Sequence, residues 1–432
     1  MKARDQTVLN VDDMPRSWYN IVPDLPGQLP AAKDPEEGPS RLEFLSKVLL
    51  KHCLQQETST ERWIRIPDAV LDLYGQAGRP RPLYRARRVE RYLKTPARIY
   101  YKREDLSPTG SHKVNTALAQ AYYAAEEGCV GISTETGAGQ WGTALAYAAS
   151  LQGLKCVIFW VRSVYDWKTE RRALMQLYGG RVFASPSHET NAGRELLGKD
   201  PKHHGSLGIA VSEGLEYAER NHGFAYCLGS VLNHVLLHQT IIGLETMKQF
   251  ELIDEKPDIM IGCLGGGSNF GGFIMPFAGE VVQGKRECDF LAAQSSSAPN
   301  LAKGEYRYDF GDHAKKTPLL KMYTIGHQAE TTPIKADGLR YHAAAPVISY
   351  LKHLGHVGAV DYPQDESDVF QAAKTFTQVE GFLPAPESAY AIKAAIDQAL
   401  ECRRYGQEKV IAFNVSGHGF LDLMAYREKL GL

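Results

Sequence analysis

V-G-I-S-T-E-T-G-A-G-Q-W-G-T-A-L-A-Y-A-A-S-L-Q-G-L-K-C-V-I-F-W-V, Val130 to Val161, passes from a short apolar run through a glycine-spaced loop into an amphipathic stretch and back to an apolar run. V-G-I-S-T and C-V-I-F-W-V have strand length, and the segment through Leu145 to Gln152 has helical spacing, so the order is β-α-β. A helical crossover returns the chain to the end of the sheet where it began, which makes the two strands parallel. The same beat continues on both sides. Before it stand A-R-I-Y-Y-K (97–102) and a helix from Val114 to Glu127; after it come a helix around Thr169 to Tyr178 and R-V-F-A-S (181–185). It resumes with P-D-I-M-I-G-C (257–263), D-F-L-A-A-Q (289–294) and K-V-I-A-F-N-V (409–415), spaced by a long helix from Val231 to Leu252 and a less regular region over 295–365. The fold class predicted is α/β, with two three-layer α/β/α lobes built on mainly parallel sheets. Residues 1–40, rich in Pro, Asp and Gly, read as an extended arm of the kind that wraps a neighbour, followed by a helical stretch from Arg41 to Gln56. Arm and helices occupy 1–78, one lobe 79–250 and the other 251–432, and part of 79–112 is available to pack with the second lobe.

The 432 residues carry 49 Lys and Arg against 50 Asp and Glu, a balance that points away from nucleic acid and from anionic membrane surfaces. The Met1 end is polar, and no apolar run approaches the ~18 residues of a membrane span, so a soluble cytoplasmic protein is expected. Seven cysteines at 53, 129, 156, 227, 263, 288 and 402 form no C-x-x-C pair. With an odd total and no secretory signal, they are expected to be free thiols, and neither a bound metal nor a disulfide is predicted.

Ligands of an open parallel sheet gather beyond the C-terminal ends of its strands, and three loops there are unusual. Gly265, Gly266 and Gly267 stand directly before Ser268 and Asn269 at a helix start, a cradle for phosphate; the plainer reading is a tight turn with close packing. No register gives G-x-G-x-x-G. G-R-E-L-L-G-K-D (193–200) and G-E-V-V-Q-G-K-R (279–286) approach the P-loop pattern but end in Asp200 and Arg286 where a hydroxyl is needed. A small phosphorylated cofactor is therefore favoured over a dinucleotide or a nucleoside triphosphate. The second loop, E-T-G-A-G-Q-W-G (135–142), suits a carboxylate, with Glu135 at its rim either as an acid–base group or as a helix cap. The third, S-G-H-G (416–419), presents Ser416 to one more ligand atom or to a turn. Lys113, beside His112 in S-P-T-G-S-H-K (107–113), stands where a polar loop becomes an apolar helix; alone it reads as a solvated lysine.

Taken together, these motifs closely resemble the β chains of tryptophan synthase, pyridoxal-phosphate enzymes of fold type II. The likeness rests on G-R-P-R-P-L-Y, K-R-E-D-L-S-P-T-G-S-H-K-V-N, E-T-G-A-G-Q-W-G, G-S-L-G-I-A-V-S-E, L-G-S-V-L-N-H-V-L-L-H-Q-T, G-C-L-G-G-G-S-N-F, P-A-P-E-S and S-G-H-G. The wording S-P-T-G-S-H-K, Y-D-F-G-D (308–312) and G-L-R-Y-H (338–342), with the long arm, is similar to the second, less common class. The resemblance implies that Lys113 holds pyridoxal 5'-phosphate as a Schiff base, with His112 and the Gly265 to Asn269 cradle at its phosphate. It likewise implies Asn115, Ser230, Glu387 and Ser416 as cofactor contacts, and Thr136, Gly137, Ala138, Gly139 and Gln140 as the seat of the substrate carboxylate. A lysine of pKa about 10.4 must be depressed to form the imine, which burial and positive backbone ends would do. Freed, Lys113 would take the α-proton, while Glu135 would serve the leaving group and then indole in a β-replacement giving L-tryptophan. A lid over about 128–230 would exclude water. A homodimer, a tryptophan synthase alpha subunit as partner and a monovalent cation also belong to what the family implies.

Four features depart from the commoner class. Trp141 and Tyr390 replace histidines, and Q-A-E-T-T-P-I-K-A-D (328–337) is less proline-rich. Arg340 stands where an aspartate receives the donor's hydroxyl, so it is expected either to clamp a phosphate or to form a closing salt bridge. The donor is thus left open between L-serine and O-phospho-L-serine. Rival readings are another fold type II enzyme, a serine or threonine dehydratase or a sulfhydrylase, and a non-catalytic binding protein on the same scaffold.

Overall fold

The computed structural model describes residues 5–432. Two sheets organise it. The larger has seven strands in the order Gln6–Thr7, Leu83–Arg85, Arg98–Arg103, Val410–Val415, Ile259–Cys263, Asp289–Ser295 and Val357–Tyr362. Its first two pairings are antiparallel and the rest parallel. The smaller sheet is parallel throughout, in the order Gly180–Ser185, Lys155–Val161, Gly131–Thr136 and Phe224–Tyr226. Strands of the larger sheet send alternate side chains into two separate cores, as the two-residue period of a strand requires. Ile99, Tyr101, Ile259, Ile261, Ile411 and Phe413 face helices on one side, while Tyr100, Met260, Val410 and Ala412 face those on the other. The smaller sheet is covered on both faces as well: Val157 and Phe159 pack on Ala210, and Ile158 and Trp160 on the main core. Burial on both faces accounts for the continuous apolar runs that mark these strands in the sequence. Of the elements within 79–112, Leu83–Arg85 and Arg98–Arg103 belong to the larger sheet.

The arm lies along its own chain. Gln6–Thr7 adds an edge strand, Ser17–Tyr19 pairs with Trp63–Arg65, and Lys33 bridges to Leu319; Met1 to Arg4 fall outside the described residues. Two expected helices are each broken in two. The stretch from Arg41 divides into Arg41–Val48 and Lys51–Glu57 because Leu49 turns extended and its backbone bridges to Tyr226. The long helix divides into Asn233–Gln239 and Ile241–Leu252 at Thr240, whose hydroxyl donates to Leu237 O at 2.6 Å and accepts the Tyr19 N–H at 3.0 Å. In the region expected to be irregular, Glu305–Phe310 and Leu319–Thr324 form a hairpin that joins neither large sheet. Among the described residues no helix is long and apolar enough to cross a membrane, and all seven cysteines are free.

Candidate active site

One cavity opens where the C-terminal strand ends of both sheets face each other. Its wall includes Lys113, Glu135, Ser230, the Gly265 to Asn269 loop, Glu387 and Ser416. The loop follows the strand Ile259–Cys263 and ends at the 15-residue helix Ser268–Val282, whose first N–H groups have no intrahelical partner. Side chains are barred there. A Cβ at Gly266 would lie 2.5 Å from Ser230 Oγ, one at Gly265 2.3 Å from Gly338 O, and Gly267 has φ +114. Bare backbone, unpaired N–H groups and the positive end of a helix dipole make a phosphate cradle.

Lys113 reaches into this cradle. Its Nζ donates to Gly229 O and, at 2.9 Å, to Ser268 Oγ. Burial lowers the ammonium to about 8 against the opposing charges of Glu135, Cys263 and Glu387, so the neutral amine is accessible near physiological pH. His112, buried beside it, is pushed down to about 3 by desolvation and then by the Lys113 charge. Its neutral ring spends Nδ1–H on Ser416 O at 3.3 Å, which leaves Nε2 as an acceptor 3.3 Å from Ser268 Oγ. Ser416 Oγ lies 2.8 Å from Ser388 Oγ and 3.5 Å from Cys263 Sγ. That end of the wall is neutral and suits an uncharged ring atom.

Glu135 sits near the C-terminal end of the strand Gly131–Thr136, buried at 4% exposure. Burial raises its carboxyl to about 7, countered by the Tyr226 hydrogen bond and by the Lys113 charge. A carboxyl and an amine that titrate within about a unit of neutrality, facing one cavity, are a matched acid–base pair. Beyond Glu135 the chain crosses Gly137 and Gly139 (φ +88) into the helix Gln140–Leu151. Trp160 Nε1 donates to Gly137 O at 2.7 Å and holds the loop open as a second anion seat at a helix start. Gln140 Nε2 donates to Glu387 Oε2 at 3.0 Å, while Glu387 Oε1 accepts Gly338 N–H at 2.9 Å, so Glu387 ties the two lobes together across the cavity.

The wall holds His112, Lys113, Glu135, Thr136, Gly137, Ala138, Gln140, Ser230, Gly265, Gly266, Gly267, Ser268, Asn269, Glu387 and Ser416. Three residues expected at the site lie outside it. Asn115 is committed to a buried polar network, donating to Glu104 and Gln239 and accepting from Arg79 and Arg81. Gly139 is bare for packing, since a Cβ there would sit 2.5 Å from Arg171 Cδ. Arg340 donates to Thr331 O at 3.0 Å and lies 3.5 Å from Asp337 Oδ1. Other residues in the wall carry no sequence signature of their own. Asp337, raised to about 6 by burial, is 3.4 Å from buried Lys168. Tyr226 bonds Glu135, and Leu45 and Leu49, on and just after the helix Arg41–Val48, close an apolar end with Leu207, Val211, Leu215 and Leu232. Leu207, Val211 and Leu232 lie inside family motifs and Asp337 ends the segment 328–337, but nothing in their type or spacing marks them as part of the cavity wall.

Residues 75–417 match the family described as pyridoxal-phosphate dependent enzyme. Over 426 residues the chain is 54% identical to tryptophan synthase beta chain 2 of Methanothermobacter thermautotrophicus, covering 99% of both chains. It is 51% identical to the protein of the same name from Pyrococcus furiosus, covering 98% of this chain and 95% of that one. Among solved structures, the processed threonine deaminase isoform 2 of Solanum lycopersicum superposes with a TM-score of 0.60 at 18% identity, over 94% of this chain and 100% of that one, a likeness of fold.

Proposed function

The chain belongs to the pyridoxal-phosphate dependent enzymes, among the tryptophan synthase beta chains, and from that premise we infer that it is a lyase joining indole to a three-carbon amino-acid donor to make L-tryptophan. The observation that carries the reading is the pairing of Lys113 at a phosphate cradle with Glu135 at the border of an apolar cavity end. Pyridoxal 5'-phosphate fits: the cradle excludes side chains, Lys113 is within reach of it, and the neutral hydroxyl of Ser416 in the same wall would be available to the ring nitrogen. When bound, the cofactor supplies an electron sink for the donor's α-carbon. A hydroxyl in place of a carboxylate at Ser416 restrains that sink and favours replacement at the β-carbon over transamination. In this reading the donor carboxylate lies on the 136–140 loop and Lys113 Nζ takes the α-proton. Glu135 first gives its proton to the departing oxygen and then receives the one lost by indole. Its balance near neutrality serves both directions. Indole occupies the apolar end under Leu45 and Leu49, where its ring displaces water. A homodimer, an alpha subunit, a monovalent cation and a cytoplasmic setting are carried over as parts of the same reading.

L-serine is the donor this site supports best. Among the described residues Lys113 is the one lysine or arginine in the cavity wall, against Glu135, Asp337 and Glu387, and Arg340 is spent on Thr331 and Asp337. O-phospho-L-serine is a second reading, favoured by the place of Arg340 between two wall residues, Leu339 and Tyr341. The test is the visible spectrum of the purified enzyme titrated with each donor, followed by indole and an assay of tryptophan. Equal turnover with L-serine supports the first reading; response to the phosphorylated donor alone transfers the leaving group to Arg340. Lys113→Ala should lose tryptophan formation by at least about a thousandfold, and near-parental turnover in that variant removes the mechanism.

A further inference from the structure

Tyr226 lies outside the residues to which the reaction has been assigned, yet it holds one of them. We propose that Tyr226 is the positioning residue for Glu135: its phenol donates to Glu135 Oε2, fixes the carboxyl's orientation and leaves Oε1 available to substrate. The inference rests on the role given to Glu135 above.

Three observations support it. First, the competing donor is spent. Thr134 Oγ1 lies 3.3 Å from Glu135 Oε2, but a hydroxyl has one proton, and this one goes to Cys227 O at 2.6 Å while the oxygen accepts Trp141 Nε1 at 2.6 Å. Second, both the backbone and the ring of Tyr226 are held. Tyr226 pairs with Ser133 on the strand that carries Glu135, Leu49 bridges its backbone, and Leu49, Val211 and Leu215 pack with it. Gly214 leaves the slot in which the ring lies, since a Cβ there would be 2.8 Å from Tyr226 Cε2. Third, the phenol remains a donor: burial, then the charge of Glu135, raises it well above its ordinary range. The other charged or titratable groups near this pair are Lys113 across the cavity, Cys227 next in the chain, and Asp312 and Tyr341 from beyond residue 300. Among the described residues none of these donates a hydrogen bond to Glu135.

A donor to the carboxylate favours its charged form, so losing the phenol raises the proton affinity of Glu135 from a midpoint already near 7. The experiment uses full-length holoenzyme carrying Tyr226→Phe, which keeps the ring. The Glu135 carboxyl is titrated by difference infrared spectroscopy, with its band assigned through Glu135→Gln, and kcat and KM are followed against pH. The midpoint is expected to rise by about one unit, with kcat near pH 7 falling about tenfold and KM for indole changing less than about twofold. Gly214→Ala, which pushes the ring from its slot, should move the midpoint in the same direction. A folded Tyr226→Phe enzyme with the parental midpoint and pH profile overturns the proposal, as does a shift in Gly214→Ala without one in Tyr226→Phe. If Glu135→Gln were fully active, the assigned role of Glu135 would fall, and the infrared midpoint would still decide whether Tyr226 holds it.

Discussion

Burial raises the Glu135 carboxyl from 4.5 to about 7, so the folded protein binds this proton more tightly than the unfolded chain does. The sign follows by linkage: the group's contribution to stability is complete below pH 4.5 and is lost as pH rises through about 7. At about 1.4 kcal/mol per unit this amounts to roughly 3 kcal/mol, the energetic side of keeping an acid–base group dry. Glu135→Gln, neutral at every pH, should therefore melt above the parent at pH 8 and lose that advantage below pH 4.5. Thermal unfolding at the two pH values checks this, and equal melting at both means the carboxyl is not desolvated. Glu135 and Ser416 were legible as candidates because their residue types stand at strand ends, and Lys113 only through the motif series that surrounds it at a helix start. Tyr226, Asp337 and Lys168 were not, since each acts through a partner at least 90 positions away, and neither alternation nor helical spacing encodes such pairs. Asn115 illustrates the converse: a polar residue two positions from Lys113 whose amide belongs to the Arg79, Arg81 and Glu104 cluster behind the site.

The helix Arg41–Val48 shows what periodicity reaches and what it misses. Its helical character is readable from residues 41–56, but not the break at Leu49, which comes from a backbone bridge to Tyr226 on a distant strand. Thr240 divides the second long helix for a similar reason, because its hydroxyl finds Leu237 O and the arm's Tyr19 N–H only once the arm is in place. Seven of the eleven strands in the two sheets were legible, since burial on both faces writes each as a continuous apolar run; Gln6–Thr7, Leu83–Arg85, Phe224–Tyr226 and Val357–Tyr362, each short or at a sheet edge, were not. The break at Leu49 also has a functional side. It directs Leu45 and Leu49 into the apolar end of the cavity, so in the proposed reading this helix would set the room available to indole. Leu45→Trp should raise KM for indole about tenfold while leaving the donor's KM unchanged, a loss of the size expected when a few carbons no longer fit. Steady-state kinetics with each substrate varied in turn separates the two. A parallel rise in both constants would mean that the substitution distorts the site as a whole.

Charged and polar pairs link the two sheets across the cavity, beside the apolar core that both share. Lys168 is 2.9 Å from Asp422 and 3.4 Å from Asp337, Arg171 is 3.0 Å from Asp422, and Gln140 reaches Glu387 at 3.0 Å. In each pair one partner follows a strand of the smaller sheet and the other lies after residue 330. Burial works against the charge on Asp422, but Lys168 and Arg171 hold it below the ordinary carboxylate range, so Asp422 is ionised at neutral pH. Such a contact differs from a hydrophobic seam in its response to loss of a partner, because unpairing a buried charge is costly and the cation left behind seeks water. Asp422→Asn leaves Lys168 and Arg171 undercompensated and should destabilise the protein by about 3 kcal/mol. The cations regain hydration if the smaller lobe swings outward, so amide hydrogen exchange over 131–226 should quicken more than in the larger sheet. Water then reaches the donor before indole does, and pyruvate should rise relative to tryptophan at unchanged total donor consumption. Exchange that quickens evenly through both lobes, with the product ratio of the parent, would reduce these pairs to support of the fold and place exclusion of water elsewhere.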